Sequence, residues 1–337
     1  MYCEVVYVKY GGLDVHKDFV QACWVDGRNK VVLEERFDTT PSGLGRLTEQ
    51  ARGSRCVIES STACFQVYDA LQEAKVRVRV AHPLKVKAIA SAKIKTDKID
   101  ARTLAQLERA DLIPEAHIPN KLTRELRELV REHVSSTQER TRIKCRVRAL
   151  LLKHGVAAPR NLFTKTNTAW ALTQFQDASL LALQQAFERL QLLKTQREKV
   201  DALIEEKAKE NKDAVLLKTI PGVGWFTALV LSAEIDGVKR FPDAEHLASY
   251  AGLTPSVHQS ANVKRSGPIS RQGNKLMRWT LVQAAWLAVR ESRKCRKLFT
   301  RLSRKKGVKK AIIAVARKLL TYSYFMLKNN EVFDENA

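Results

Sequence analysis

Two strand-like runs, Phe19 to Val25 and Val31 to Phe37, are joined by Asp26-Gly27-Arg28-Asn29-Lys30, and this hairpin connection makes them an antiparallel pair within the N-terminal third of the chain. Ahead of it, Tyr2 to Leu13 is rich in β-branched and aromatic residues and runs through Gly11-Gly12-Leu13, so it reads as a strand delivering Asp14 at its tip. Behind it, Thr40-Pro41-Ser42-Gly43 opens a short helix to about Arg52, and Arg55-Cys56-Val57-Ile58-Glu59 is a buried strand that ends on a carboxylate. A helix from about Cys64 to Ala74, a fifth strand from Val76 to Ala81, and His82-Pro83 follow.

Three strands, helix, strand, helix, strand, helix is the order of a ribonuclease H-like α/β fold. In that order Asp14 closes the first strand and Glu59 the fourth, and the two strands are neighbours at the centre of the sheet. The last helix of the set begins in Lys95-Thr96-Asp97-Lys98-Ile99-Asp100-Ala101-Arg102, where Thr96 or Asp97 can cap it and a spacing of three aims Asp97 and Asp100 from one face. Taken singly, these acids also fit a strand-end turn, a helix-start carboxylate, and an N-cap and first-turn aspartate beside the positive end of a helix dipole. Taken together, four carboxylates converging at strand ends repel one another unless they share positive charge. Two Mg²⁺ about 3.5–4 Å apart are the usual answer in enzymes that cut phosphodiesters.

Lys and Arg number 59 against 36 Asp and Glu, a formal net charge of +23. Such an excess repels itself unless a polyanion is bound, so nucleic acid is the expected partner. A membrane is not expected: apolar stretches such as Ala311 to Ala316 fall far short of the about 20 residues that span a bilayer, and the N-terminus lacks a signal peptide's order. Cys3, Cys23, Cys56, Cys64, Cys145 and Cys295 show neither zinc spacing nor a disulfide framework, as expected of reduced thiols in a cytoplasm.

The composition changes after the acidic helix, and His117-Ile118-Pro119-Asn120 reads as a linker. From Leu122 to about His154 apolar residues recur at helical spacing, and the polar face from Arg140 on (Arg140, Arg142, Lys144, Arg146, Arg148) is purely basic, which favours phosphate contact over plain solvation. Gly155 to Thr168 reads as a loop. A second long helix from about Ser179 to Glu210 carries Leu183, Leu190, Arg197 and Ile204 at seven-residue spacing, a seam for an antiparallel pair, a coiled coil or a dimer contact.

Near Ala214 a mainly helical region begins. Ile220-Pro221-Gly222-Val223-Gly224 looks like a helix-hairpin-helix turn, in which Gly222 and Gly224 either let backbone N–H groups hold a DNA phosphate or serve packing only. The polar segment Ser256 to Gly273, with Ser260, Lys264, Arg265 and Arg271, reads as a surface loop or a site, and basic residues dominate Arg290 to Lys310. The expected organisation is an α/β domain over 1–112, a linker and long-helix region over 113–213 and an all-α domain over 214–337.

Gly12-Leu13-Asp14-Val15-His16-Lys17, Ile58-Glu59-Ser60-Ser61, Lys95-Thr96-Asp97-Lys98-Ile99-Asp100-Ala101 and the segment from Gln259-Ser260-Ala261 to Gly273-Asn274 together resemble the DEDD-type insertion-sequence transposases, also called bridge-RNA-guided recombinases. The resemblance spans almost the whole chain in the family's order. It implies a RuvC-like N-terminal domain with Asp14, Glu59, Asp97 and Asp100 as a metal-binding catalytic tetrad and Ser260 as a nucleophilic serine. It further implies Mg²⁺, a structured guide RNA encoded by the element, and double-stranded donor and target DNA, handled by a homodimer or homotetramer whose site is assembled between protomers. Two departures stand out: Ala261 replaces the family's glycine, and Ser266 stands where arginine is common. The other readings of the residues are a Holliday-junction nuclease in which water attacks, and a basic protein that packages nucleic acid.

Overall fold

In the computed structural model, which describes residues 9–90, 96–260 and 263–335, the expected hairpin is present and the first strand pairs beside it. β1 (Lys9–Val15) pairs antiparallel with β2 (Phe19–Val25), and β2 with β3 (Val31–Asp38). Asp26 closes the β2–β3 turn by accepting from the N–H groups of Arg28 and Lys30. The part of the expected first strand before Lys9 lies outside the described residues, and β1 runs on through Asp14 to Val15.

Thr40 caps α1 (Pro41–Ala51), which leads to β4 (Ser54–Glu59), α2 (Cys64–Glu73) and β5 (Arg77–Ala81). β4 lies parallel to both β1 and β5, so the sheet order is β3-β2-β1-β4-β5. One face packs Leu13, Val20, Trp24, Phe37 and Ile58 against Leu47 of α1 and Val67 and Leu71 of α2. A short helix, α3 (Pro83–Ile89), begins at Pro83, just after His82. The other face is covered by α4 (Asp97–Arg109), whose Ala101, Ala105 and Leu104 meet Cys23, Val25 and Val57.

The chain divides into two units, Met1–Ile118 and Pro119–Ala337. In the second, α5 (Lys121–Lys153) is followed by α6 (Lys165–Leu172), part of which falls in the expected loop, and by α7 (Asp177–Glu210). Leu126 and Val130 of α5 share a core with Ile204 and Ala208 of α7, whereas Val147 and Leu151 share one with Leu183 and Ala186. The two helices therefore run antiparallel, and the heptad seam closes within one chain. Arg197 is tolerated in that seam because its guanidinium pairs with Asp201 at 3.4 Å, which in turn bonds His133 Nδ1 at 2.6 Å.

The remaining elements are α8 (Lys212–Leu217), α9 (Trp225–Ile235), α10 (Ala244–Tyr250), a hairpin of β6 (Pro255–Ser260) and β7 (Val263–Ile269), then α11 (Lys275–Glu291), α12 (Arg293–Lys306) and α13 (Val308–Asn329). Their core joins α9, α11 and α13 to the inner ends of α5 and α7. At its heart the Glu234 carboxylate, 1% exposed, accepts from Arg131 at 3.0 Å and Asn274 at 2.8 Å and lies 3.3 Å from Arg127 Nε. No described helix is long and apolar enough to cross a membrane.

Candidate metal centre and nucleic-acid surface

Asp14 leaves β1 on the same face as Gly12, the face covered by α4. Gly12 sets how close that helix comes: a Cβ there would collide with the Ala101 carbonyl oxygen and the Ala105 amide nitrogen. Thr96 caps α4 by accepting from the Ile99 N–H, which places Asp97 and Asp100 in the first turn. His16, just past β1, turns back so that its Nε2 lies 3.0 Å from Asp14 Oδ2 and 3.5 Å from Asp97 Oδ1. Its ring stacks on Phe19 at 4.5 Å, and the Arg36 guanidinium covers that phenyl ring at 3.5 Å.

One ligand atom from each of Asp14, His16 and Asp97 falls within a 4.8 Å group. Burial pushes the Asp14 carboxyl above its ordinary range; His16 opposes this, and the charges of Asp100 and Asp97 add to it. Asp100 therefore feels the same site without belonging to the tight group. Glu59 is placed by register: Leu13 pairs with Ile58, so Asp14 and Glu59 leave adjacent parallel strands at the same level and on the same face. His16 went unassigned from sequence, although Asp14-Val15-His16 carries the i, i+2 spacing that puts two side chains on one side of an extended chain.

Ser260 is the last residue of β6 and pairs with Val263 at the turn end of the β6–β7 hairpin. The expected polar loop over Ser256 to Gly273 is thus largely a two-stranded ribbon. Its base is held by the Ser270 N–H on Thr254 O, the Asn274 N–H on Tyr250 O and Ser256 Oγ on Pro268 O. The side chains of Ser260, Lys264 and Arg265, and the whole of Ala261, lie outside the described residues. Of the two readings of Gly222, its surroundings favour packing. Its N–H donates to Glu291 Oε2 at 2.7 Å, and a Cβ there would strike the α11 backbone at Ala288, so this glycine serves helix packing. Gly224 precedes α9 with open space where a Cβ would stand.

Two family models match this chain: a transposase model of the DEDD type over residues 11–155, and the IS116/IS110/IS902 transposase family over residues 214–320. The chain belongs to the IS110/IS116 family of transposases. The first match contains Asp14, Glu59, Asp97 and Asp100, and the second contains Ser260. The chain is 23% identical over 346 residues to the transposase for insertion sequence element IS1111A of Coxiella burnetii, covering 97% of this chain and 91% of that one. It is 38% identical over 128 residues to the pilin gene-inverting protein of Moraxella bovis, a match that takes in 37% of this chain and 40% of that protein. A putative transposase, y4qE, of Sinorhizobium fredii is 27% identical over 241 residues, 70% of this chain and 58% of the relative.

On this transposase the basic face of α5 is open: Arg142, Arg146 and Arg148 are exposed, whereas Arg140 and Lys144 are half-buried in a cleft of about 610 Å³ with Phe163, Lys165 and Lys194. Lys144 Nζ stands 4.8 Å from the Phe163 ring centre and the Arg148 guanidinium 5.5 Å from it. Burial, followed by the charges of Arg140 and Arg148, holds the Lys144 ammonium below its ordinary range. Crowded cations on an aromatic ring are relieved by an anion. Arg271 lies on the surface of a second cavity, of about 740 Å³, beside Trp286, Lys306, Lys309 and Arg317.

Proposed function

We propose that the chain moves an insertion sequence by cutting and rejoining DNA, with Asp14, Glu59, Asp97 and Asp100 holding divalent ions, most naturally two Mg²⁺, and Ser260 as the nucleophile. The observation that carries this reading is the meeting of Asp14, His16 and Asp97 at the end of the central strands, with Asp100 adding its charge and Glu59 on the adjoining strand. The sheet order β3-β2-β1-β4-β5, three antiparallel strands continued by two parallel ones, supports a ribonuclease H-like, RuvC-like reading of this unit.

The donor set fits a hard divalent cation, because carboxylate oxygens dominate it and Asp14 is strained by burial and by like charges that such an ion neutralises. When bound, the ion would polarise the scissile phosphate and make a hydroxyl a better nucleophile. His16 holds the Asp14 carboxylate in one orientation, and Ser260 supplies the attacking hydroxyl. A bond forms between Ser260 Oγ and phosphorus and the bond from phosphorus to the 3′ oxygen breaks; the serine proton passes, through a carboxylate or water, to the departing 3′ oxygen. The phosphoserine retains the bond energy, so a 3′-hydroxyl from another strand can reverse the step and join strands without ATP. The basic faces fit donor and target DNA and an element-encoded guide RNA.

The test is to incubate the full chain with donor and target DNA, Mg²⁺ and RNA transcribed from the element's flanks, then look for protein covalently joined to DNA. The adduct should form with the native chain and vanish in Ser260→Ala and Asp14→Asn. Cleavage without an adduct would instead indicate a nuclease in which water attacks, and binding alone a packaging protein.

A further inference from the structure

Between α5 and α11 runs a groove of about 780 Å³ whose floor includes Trp279, 40% exposed. An indole is costly to leave in water, and this one is fixed in place. Phe226 of α9 meets its ring edge-on at 6.4 Å, and His133 of α5 stacks on Phe226 at 4.0 Å, so three helices lock an aromatic ladder whose outer rung opens into the groove. The rim is cationic. Arg142 and Lys275 line it and, among the described residues, form no ion pair; Arg131 lines it while reaching Glu234 with one nitrogen. Gln138 adds an amide to the α5 wall, and the lining residues include no carboxylate.

We propose that this groove is a stacking site for an unpaired base of a single-stranded polynucleotide, with the base on Trp279 and the flanking phosphates on Arg142 and Lys275. This inference deepens the nucleic-acid reading above and rests on it. A rigid, half-open aromatic face between cations suits an unpaired nucleotide, because every base offers a π-face and every linkage a negative charge. A duplex cannot use the site in the same way, since its base faces are already stacked. Both an unpaired RNA segment and a displaced DNA strand have the required chemistry, and the experiment compares them.

The full-length chain is titrated against fluorescently labelled 20-nucleotide single-stranded RNA, single-stranded DNA and blunt duplex DNA at fixed salt. Trp279→Ala should weaken single-strand binding about 5- to 150-fold, the range that loss of one base–aromatic stack gives, and leave duplex affinity unchanged. Trp279→Phe should retain most of the affinity and guards against a folding defect in the alanine variant. Arg142→Gln with Lys275→Gln should weaken single-strand binding and flatten its salt dependence, which Trp279→Ala should not do. Irradiating the native complex made with 5-bromouracil-substituted strands should crosslink the peptide that contains Trp279. The larger loss, on RNA or on DNA, identifies the strand that uses the groove. Single-strand affinity unmoved by Trp279→Ala with duplex binding intact, equal losses on duplex and single strands, or crosslinks only elsewhere would overturn this site and leave the proposed function standing. Failure of the native chain to bind any nucleic acid would overturn both.

Discussion

His16 Nε2 sits 3.0 Å from Asp14 Oδ2, and the same nitrogen lies 3.5 Å from Asp97 Oδ1. A ring stacked on Phe19, itself covered by Arg36, thus holds the Asp14 carboxylate in place. Groups that orient a metal's carboxylates typically contribute 10- to 100-fold to ion affinity. His16→Ala should therefore weaken Mn²⁺ or Mg²⁺ binding by about that factor with little change in the fold. Calorimetric titration reads the loss; unchanged ion affinity would reduce His16 to a surface residue.

Gly12 faces α4 with only a hydrogen atom between the two backbones. Gly12→Ala must push the helix off β1, at a cost of about 1–3 kcal/mol from overpacking. Because α4 carries Asp97 and Asp100, the same displacement should lower ion affinity. Urea denaturation and ion titration on one variant check both effects, and an alanine tolerated at full stability would contradict the close approach.

His133 is held below its ordinary pKa chiefly by burial, against the opposing pull of Asp201 and with help from the charges of Arg197 and Arg140. Since the unfolded imidazole takes up its proton first, near pH 6.5, acid favours unfolding. The contribution of neutral His133 is complete above that pH and is lost as pH falls toward the depressed folded value. The urea midpoint of the native chain should drop below pH 6.5 more steeply than that of His133→Phe, which keeps the ring against Phe226. Parallel curves would rule His133 out as the cause.

The exposed end of α5 gives a salt-dependence test. Replacing Arg146 and Arg148 by glutamine should reduce the slope of log affinity against log salt by about 1–2, the release of roughly one counterion per lost phosphate contact. Binding isotherms at several salt concentrations decide it, and an unchanged slope would place the polyanion elsewhere.

Much of the placement of the candidate acids could be read from sequence because it depends on local chemistry and element order. The Asp26 turn, the Thr96 cap and the ends of β2 and α2 are set by residues within a few positions of one another. What escaped depends on partners far along the chain. The β6–β7 ribbon is polar on both strands, so alternation gave no signal, and its base is fixed by Tyr250 and Thr254. Gly222 could serve either phosphate binding or packing, and the choice rests on Glu291, 69 residues away, which accepts its N–H. Arg197 looked like a flaw in a zipper until Asp201 and His133 supplied its polar surroundings.

The α5–α7 pair has a mechanical corollary. At 1.5 Å per residue, the 33 residues of α5 make a strut roughly 50 Å long. One end is anchored in the core beside α9 and α11, and the other holds Val147 and Leu151 in a separate apolar knot. Laid along a duplex rising about 3.4 Å per base pair, such a strut spans roughly 15 pairs, well over a full helical turn. Groups at the two ends of a rod this long would meet such a duplex on different sides of its axis.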